Sequence, residues 1–259
     1  MLTKLMREIG AVAQRILTEL CRRRRSLIFW AIFPIVVLVL NGLILEERAQ
    51  LTTAKAFQQA APPTLVGAAL FFSCLGGSVA TVVAEREQQT LKRLFLSPLS
   101  GVSYFLGIFV AHCAIGMAQT ILVWAIATGI GANFTGSYLL ALITILLSIA
   151  TYVGVGFILG TQFARRTEDV NALIAAFGVP LLILGGAFLP TALFPETLLN
   201  LAQYNPIYHM IESLEGVIAG DETWSAIAPH FWFLAIFAGV MVITGWLAYG
   251  RMLQAERQL

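Results

Sequence analysis

Residues 94–164 hold no Asp, Glu, Lys or Arg, an unbroken run of 71 positions without a strong charge. An ordinary soluble domain is about one-quarter charged and cannot leave so long a stretch bare. Across the chain 12% of residues are charged and 58% are hydrophobic, and the charges are clustered. Disorder needs the opposite balance, with low hydrophobicity and high charge. A soluble fold would lack the polar groups to cover its surface. The chain therefore reads as a membrane protein.

A helix needs about 20 apolar residues to cross the hydrocarbon core. The uncharged run 26–45 fits one span. The run 56–84 opens on Pro62 and Pro63, which puts a second span near 64–84. The run 94–164 is too long for one span and breaks at the Gly-rich patch 129–136, giving spans near 102–128 and 138–163. A fifth covers 170–188, stopped by Pro190 and Pro195, and a sixth covers 229–250. The expected fold is an all-α membrane protein with six transmembrane helices, forming a single transmembrane domain over 1–259.

Charge placement tests the count. Six spans put the N-terminal segment, the 85–93 loop, the 165–169 loop and the C-terminal tail on one side, with fourteen of the sixteen Lys and Arg. Arg48 and Lys55 alone fall on the other. The positive-inside rule makes the first side, with both termini, cytoplasmic. Arg22, Arg23, Arg24 and Arg25 act in this reading as an orientation signal, and no nucleic acid partner is expected. The lead and the first apolar run are both too long for a cleaved signal peptide.

Segment 1–25 has its own pattern. Leu2, Leu5, Met6, Ile9, Val12, Ala13, Ile16, Leu17 and Leu20 recur at steps of three and four, with Lys4, Arg7, Glu8, Gln14, Arg15 and Glu19 opposite. Such a basic amphipathic helix is expected to lie in the membrane interface, in contact with lipid. A partner's groove is the alternative.

No span contains a strong ionisable group, which counts against proton-coupled transport. His112 lies within a span and reads as hydrogen-bonded rather than catalytic. His230 lies at an interface and reads the same way. Cys21, Cys74 and Cys113 show no metal-ligand spacing and read as reduced filler. No metal site is expected. HExxH and GxSxG are absent from the sequence. A P-loop needs Lys after Gly, and none of Lys4, Lys55 and Lys92 qualifies. Energised work would therefore draw its energy from another polypeptide. The residues alone leave three readings open: a permease driven by a partner, a carrier working alone by ion coupling or facilitation, and a non-transporting assembly factor.

The loop after the second span can form about three helical turns before Pro98, with Leu91, Leu94 and Phe95 on one face and Arg86, Gln89 and Arg93 largely on the other. It carries Glu85, Arg86 and Glu87, then Thr90 and Leu91, then Ser97, Pro98, Leu99 and Ser100. A second pattern follows the fifth span, with Gly185, Gly186 and Pro190, then Asn205, Pro206 and Tyr208. Together these resemble ABC-2-type transporter permeases, the membrane subunits of ABC exporters of drugs, lipids or polysaccharides.

The resemblance covers essentially the whole chain. It implies a coupling helix at 85–98, seated in a separate ATP-binding subunit. Glu85, Arg86, Glu87, Thr90, Leu91, Arg93 and Leu94 would form or support that docking surface. It implies outer re-entrant helices within 189–222, around Gly185, Gly186, Pro190, Asn205 and Pro206. It implies two ATPase subunits that use ATP and Mg, a second permease copy or a related chain, and no cofactor bound by this chain. It places the protein in the plasma (inner) membrane and implies outward movement of a hydrophobic or amphiphilic substrate. Relatives often carry a basic residue after the Asn-Pro segment, where this chain has Glu215. Gly156 and Gly160 would allow close helix packing, within one subunit or between two.

Overall fold

The computed structural model describes residues 2–22, 24–88, 99–220 and 223–257. All regular structure among them is helical. We number the elements α1 (Leu2–Arg22), α2 (Arg24–Arg48), α3 (Thr53–Glu87), α4 (Gly101–Ile130), α5 (Tyr138–Phe163), α6 (Thr167–Leu184), α7 (Glu196–Ala202), α8 (Pro206–Ala219) and α9 (Trp224–Arg257). Six of these, α2 to α6 and α9, are long and apolar enough to cross a membrane.

Several element ends differ from the sequence expectation, and proline explains most of them. Pro62 and Pro63 lie inside α3, which begins at Thr53 rather than near Thr64. Their missing N–H groups weaken the helical ladder. The chain answers with wide i→i+5 turns over Thr64–Gly76, and the helix continues. Pro180 in α6 follows a similar wide turn at Ile174–Gly178. Pro229 also lies inside its helix, so α9 starts at Trp224 rather than near 229. By contrast, α6 ends at Gly185 and Gly186, ahead of Pro190, because Gly186 adopts a positive φ of 88°.

The core lies between α3, α4, α5 and α9. Phe105 stands 4.3 Å from Phe157 and 5.2 Å from Trp246, and Tyr152 donates to the Val66 carbonyl at 3.1 Å. In lipid, helices gain little hydrophobic free energy from meeting each other, so close van der Waals contact must hold them. Small residues provide it. A Cβ at Gly156 would stand 1.9 Å from Ser78 Oγ, and one at Gly154 would stand 2.7 Å from the Met241 backbone carbon. Gly160 faces Val82 and Val79. The pair Gly156 and Gly160 thus packs α5 on α3 within one subunit. By contrast, α2 is mostly uncovered along its length, with Phe29 72% exposed.

Helix α1 does not lie free. Val12, Ala13 and Ile16 are buried, and Val12 sits where a Cβ on Gly107 of α4 would fall. Its apolar face is thus partly covered by this chain's own α4, while Met6 stays exposed.

Candidate functional site

The first candidate site lies where α3 ends. Residues 85–87 form the last turn of α3, in continuous helix with the span, rather than opening a separate helix. Thr90, Leu91, Arg93 and Leu94 lie outside the described residues, as does the rest of 89–98.

The three charged residues of the Glu-Arg-Glu motif each reach a different helix. The Glu85 carboxylate pairs with the Arg15 guanidinium of α1. Glu85 is buried, and Tyr104 of α4 is close enough to interact with the pair. The Arg86 guanidinium donates to the carbonyls of Gly160 at 3.4 Å and Ala164 at 3.3 Å. Wide turns at Leu159–Phe163 end α5 there and free carbonyls that the helix does not use. A cation at a helix C-terminus also meets a favourable dipole. Glu87 accepts from Thr167 twice, from the backbone N–H at 3.1 Å and from the hydroxyl at 2.8 Å. That is the N-terminus of α6, where a carboxylate is stabilised. Asp169 completes this cap, accepting from the N–H groups of Arg165 and Arg166 at 2.8 and 2.9 Å.

A fourth tie joins α1 to α4. Ser103 Oγ donates to Glu8 at 2.5 Å, and this bond holds the Glu8 carboxyl below the usual carboxylate range. The end of α3 thus holds α1, the end of α5 and the start of α6, and α1 in turn holds the start of α4. The exit of α3 into the 89–98 loop is tied to three other helices. Movement there would be felt by α1, α5 and α6 together.

The second candidate site lies after α6. Asn205 Nδ2 donates to the Leu181 carbonyl at 2.7 Å, and its Oδ1 accepts from the Ile207 N–H at 3.0 Å. The first bond ties α8 to α6, and the second caps α8. Pro206 occupies the first helical position, where its missing N–H costs nothing. Gly185 allows a tight approach, since a Cβ there would stand 2.7 Å from that of Ile207. The structure thus brings Gly185, Asn205 and Pro206 together. Pro190 starts a short 3-10 turn, Thr191–Leu193, and its carbonyl accepts from Leu193 at 3.0 Å. With α7 and α8, three short helices occupy the described part of this region, residues 189–220.

Sequence reasoning missed one pair here. His209 Nδ1 and His230 Nδ1 are 3.0 Å apart, and His209 Nε2 lies 2.8 Å from the Gln203 carbonyl. Burial lowers the His209 pKa. Two of the three histidines of the chain meet here. Their spacing of 21 residues follows no local period, so only the fold could reveal them. His112 instead bonds within its own helix, to Ile108, at 2.9 Å.

Comparison with known proteins covers both sites. Residues 46–247 match the family described as ABC-2 family transporter protein. The probable multidrug ABC transporter permease YbhR of Escherichia coli strain K12 is 28% identical over 172 residues. Its counterpart in Escherichia coli O157:H7 matches equally. The alignment takes in 65% of this chain and 45% of each relative, so the chain spans under half the length of those relatives.

Proposed function

The chain belongs to the ABC-2 transporter family, and from that premise we propose that it is the permease subunit of an ATP-driven exporter. Two such subunits, identical or paired with a related chain, enclose the path. Two ATP-binding subunits use ATP and Mg and dock from the side carrying most of the Lys and Arg. That side is cytoplasmic and holds both termini, and the membrane is the plasma (inner) membrane. The cargo is hydrophobic or amphiphilic, such as a drug, a lipid or a lipid-linked glycan. This chain binds no nucleotide.

The observation that carries this reading is the three-way anchoring of Glu85, Arg86 and Glu87. A loop pushed by an ATPase works as a lever only if its root is fixed to the helices it must move. Here the root grips α1, α5 and α6, so a displacement of 89–98 is passed to the bundle at several points. Alternating access follows when ATP draws the two ATPases together and the two bundles rock apart on the opposite face. Glu85, Arg86 and Glu87 have the role of transmission, and Thr90, Leu91, Arg93 and Leu94 that of contact with the ATPase.

Affinity purification of the tagged protein in mild detergent tests this. An ATPase subunit is expected to co-purify with the parent protein and to be lost from Leu91→Lys, while the permease itself elutes unchanged. Transport by the protein alone in liposomes, without ATP, would overturn the proposal.

A further inference from the structure

Between α3, α4, α5 and α8 lies a cavity of about 220 Å³ that none of the contacts above uses. Ala61, Met117, Val123, Ile145 and Leu214 are among its walls. Only two lining side chains carry a hydroxyl, and both hydroxyl protons are already donated. Thr120 donates to the Gly116 carbonyl at 2.9 Å, and Tyr138 donates to the Phe134 carbonyl at 3.0 Å. Apart from the Trp124 indole N–H, no other side-chain N–H or O–H around the cavity remains to direct a ligand. Apolar cavities of about 150 Å³ stay dry and take up hydrocarbon instead.

The cavity has an open side. Ile121 is 60% exposed and Tyr138 63% exposed, and Trp124 and Leu142 stand exposed beside them. These residues lie on helices that cross the membrane, so an occupant would enter from the bilayer. Trp124 and Tyr138 pack edge to face at 5.9 Å. They sit near the adjoining ends of α4 and α5, a pairing typical of the membrane–water boundary. The cavity therefore lies just below one headgroup layer, that of the outer leaflet in the orientation proposed above.

We infer that this cavity is a binding site for one acyl chain of a membrane phospholipid. Its walls supply mainly dispersion and desolvation, which suit a hydrocarbon chain, and the Trp124 indole N–H is left for the headgroup end. Trp124 and Tyr138 leave the headgroup in the interface. Leu214 and Ile218 of α8 form one wall, so the chain braces α8 against α4. The site depends on membrane insertion alone, and it stands whether or not ATP drives transport.

The test uses the full-length protein in nanodiscs of phosphatidylethanolamine and phosphatidylglycerol, with a trace of phospholipid bearing a diazirine on its acyl chain. After irradiation, mass spectrometry maps the labelled residues. Labelling at Met117 and Leu142 is expected to exceed several-fold that at Leu40 and Leu43 on the uncovered face of α2. Ala141→Phe is expected to fill the cavity and remove that excess without changing α2. Ala61→Leu fills it from the opposite wall and serves if the first variant does not fold. Equal labelling at the two places, or an excess that survives in a folded filling variant, would overturn the site. Retention of a hydrophobic dye that phospholipid does not displace would overturn the choice of a lipid chain.

Discussion

Arg15 in α1 and Glu85 at the end of α3 form an ion pair across 70 positions of sequence. The two partners are not equally dry, since the Glu85 side chain is 8% exposed and that of Arg15 is 41% exposed. Removing the wetter partner strands the drier charge. Arg15→Met should therefore destabilise by about 1–2 kcal/mol and Glu85→Gln by under about 1 kcal/mol. Thermal unfolding in detergent would show this order, and the exchange Arg15→Glu with Glu85→Arg should recover part of the loss. Equal effects of the two single variants would mean that burial of Glu85 does not control the pair.

Glu87 belongs to the same motif but is exposed, and its two bonds to Thr167 hold one helix start. Glu87→Ala should cost only about 0.5–1 kcal/mol globally. Its local effect should be larger. The Thr167 amide loses its acceptor and the first turn of α6 loosens, so hydrogen exchange at 167–170 should quicken while α5 stays protected. Thr167→Val, which removes only the hydroxyl donor, should give a weaker form of the same pattern.

The spans were legible because lipid demands long apolar runs, and charges mark where the runs end. Prolines are weaker boundaries than they look, because a helix inside a bundle need not stop at them. Pro62 and Pro63 look like a boundary in the sequence, but wide turns after them carry α3 on, and Ala56, Phe57 and Ala60 ahead of them are buried. The Glu-Arg-Glu motif was visible as a motif, but its partners were not. Arg15, Gly160 and Thr167 lie 70 to 80 positions from the residues they meet. No periodicity in the sequence encodes such distances. The amphipathic face of α1 was legible as well, but its apolar stripe fits protein as readily as lipid, and α4 covers part of it.

Helix α5 approaches α3 so closely at Gly156 that any side chain must collide with Ser78. Gly156→Ala should destabilise by about 1–3 kcal/mol through overpacking. Ser78 Oγ donates to Leu75 of its own helix at 3.0 Å, so its loss should be tolerated. Ser78→Gly would remove both the Oγ and the Cβ from the contact. The double variant should therefore unfold at a higher temperature than Gly156→Ala alone. If it unfolds lower, the clash is not what limits the approach of the helices.

Asn205 both donates to α6 and caps α8, and the two roles can be separated. Asn205→Ser keeps a cap acceptor, and its short hydroxyl no longer reaches Leu181. Asn205→Ala loses both. Because the residue is buried, the Leu181 carbonyl would lose its side-chain donor with little water to replace it. The expected losses are about 1–2 kcal/mol for Ser and about 2–3 kcal/mol for Ala. Chemical unfolding of the two variants side by side would test the order.

The histidine pair gives the fold a pH dependence whose sign can be derived. His209 Nε2 faces the Gln203 carbonyl, which can only accept, so that nitrogen carries a proton. In neutral His209 the other nitrogen, Nδ1, is then an acceptor, and His230 Nδ1 must donate to it across 3.0 Å. Protonating His209 would set two N–H groups against each other. His209 also stacks on Phe233 with ring centroids 3.8 Å apart, and Tyr208 faces His230 at 5.5 Å, so the pair has aromatic neighbours. Burial lowers the folded pKa of His209 below its ordinary value of 6.5. Below about pH 6.5 the unfolded chain therefore binds more protons than the folded one, and stability falls as pH falls. Tm measured at pH 7.5 and 5.5 should drop for the parent protein. In the double variant His209→Gln with His230→Gln, which keeps polar groups but no longer titrates there, the drop should shrink. An undiminished drop in a folded double variant would assign the acid sensitivity to other groups.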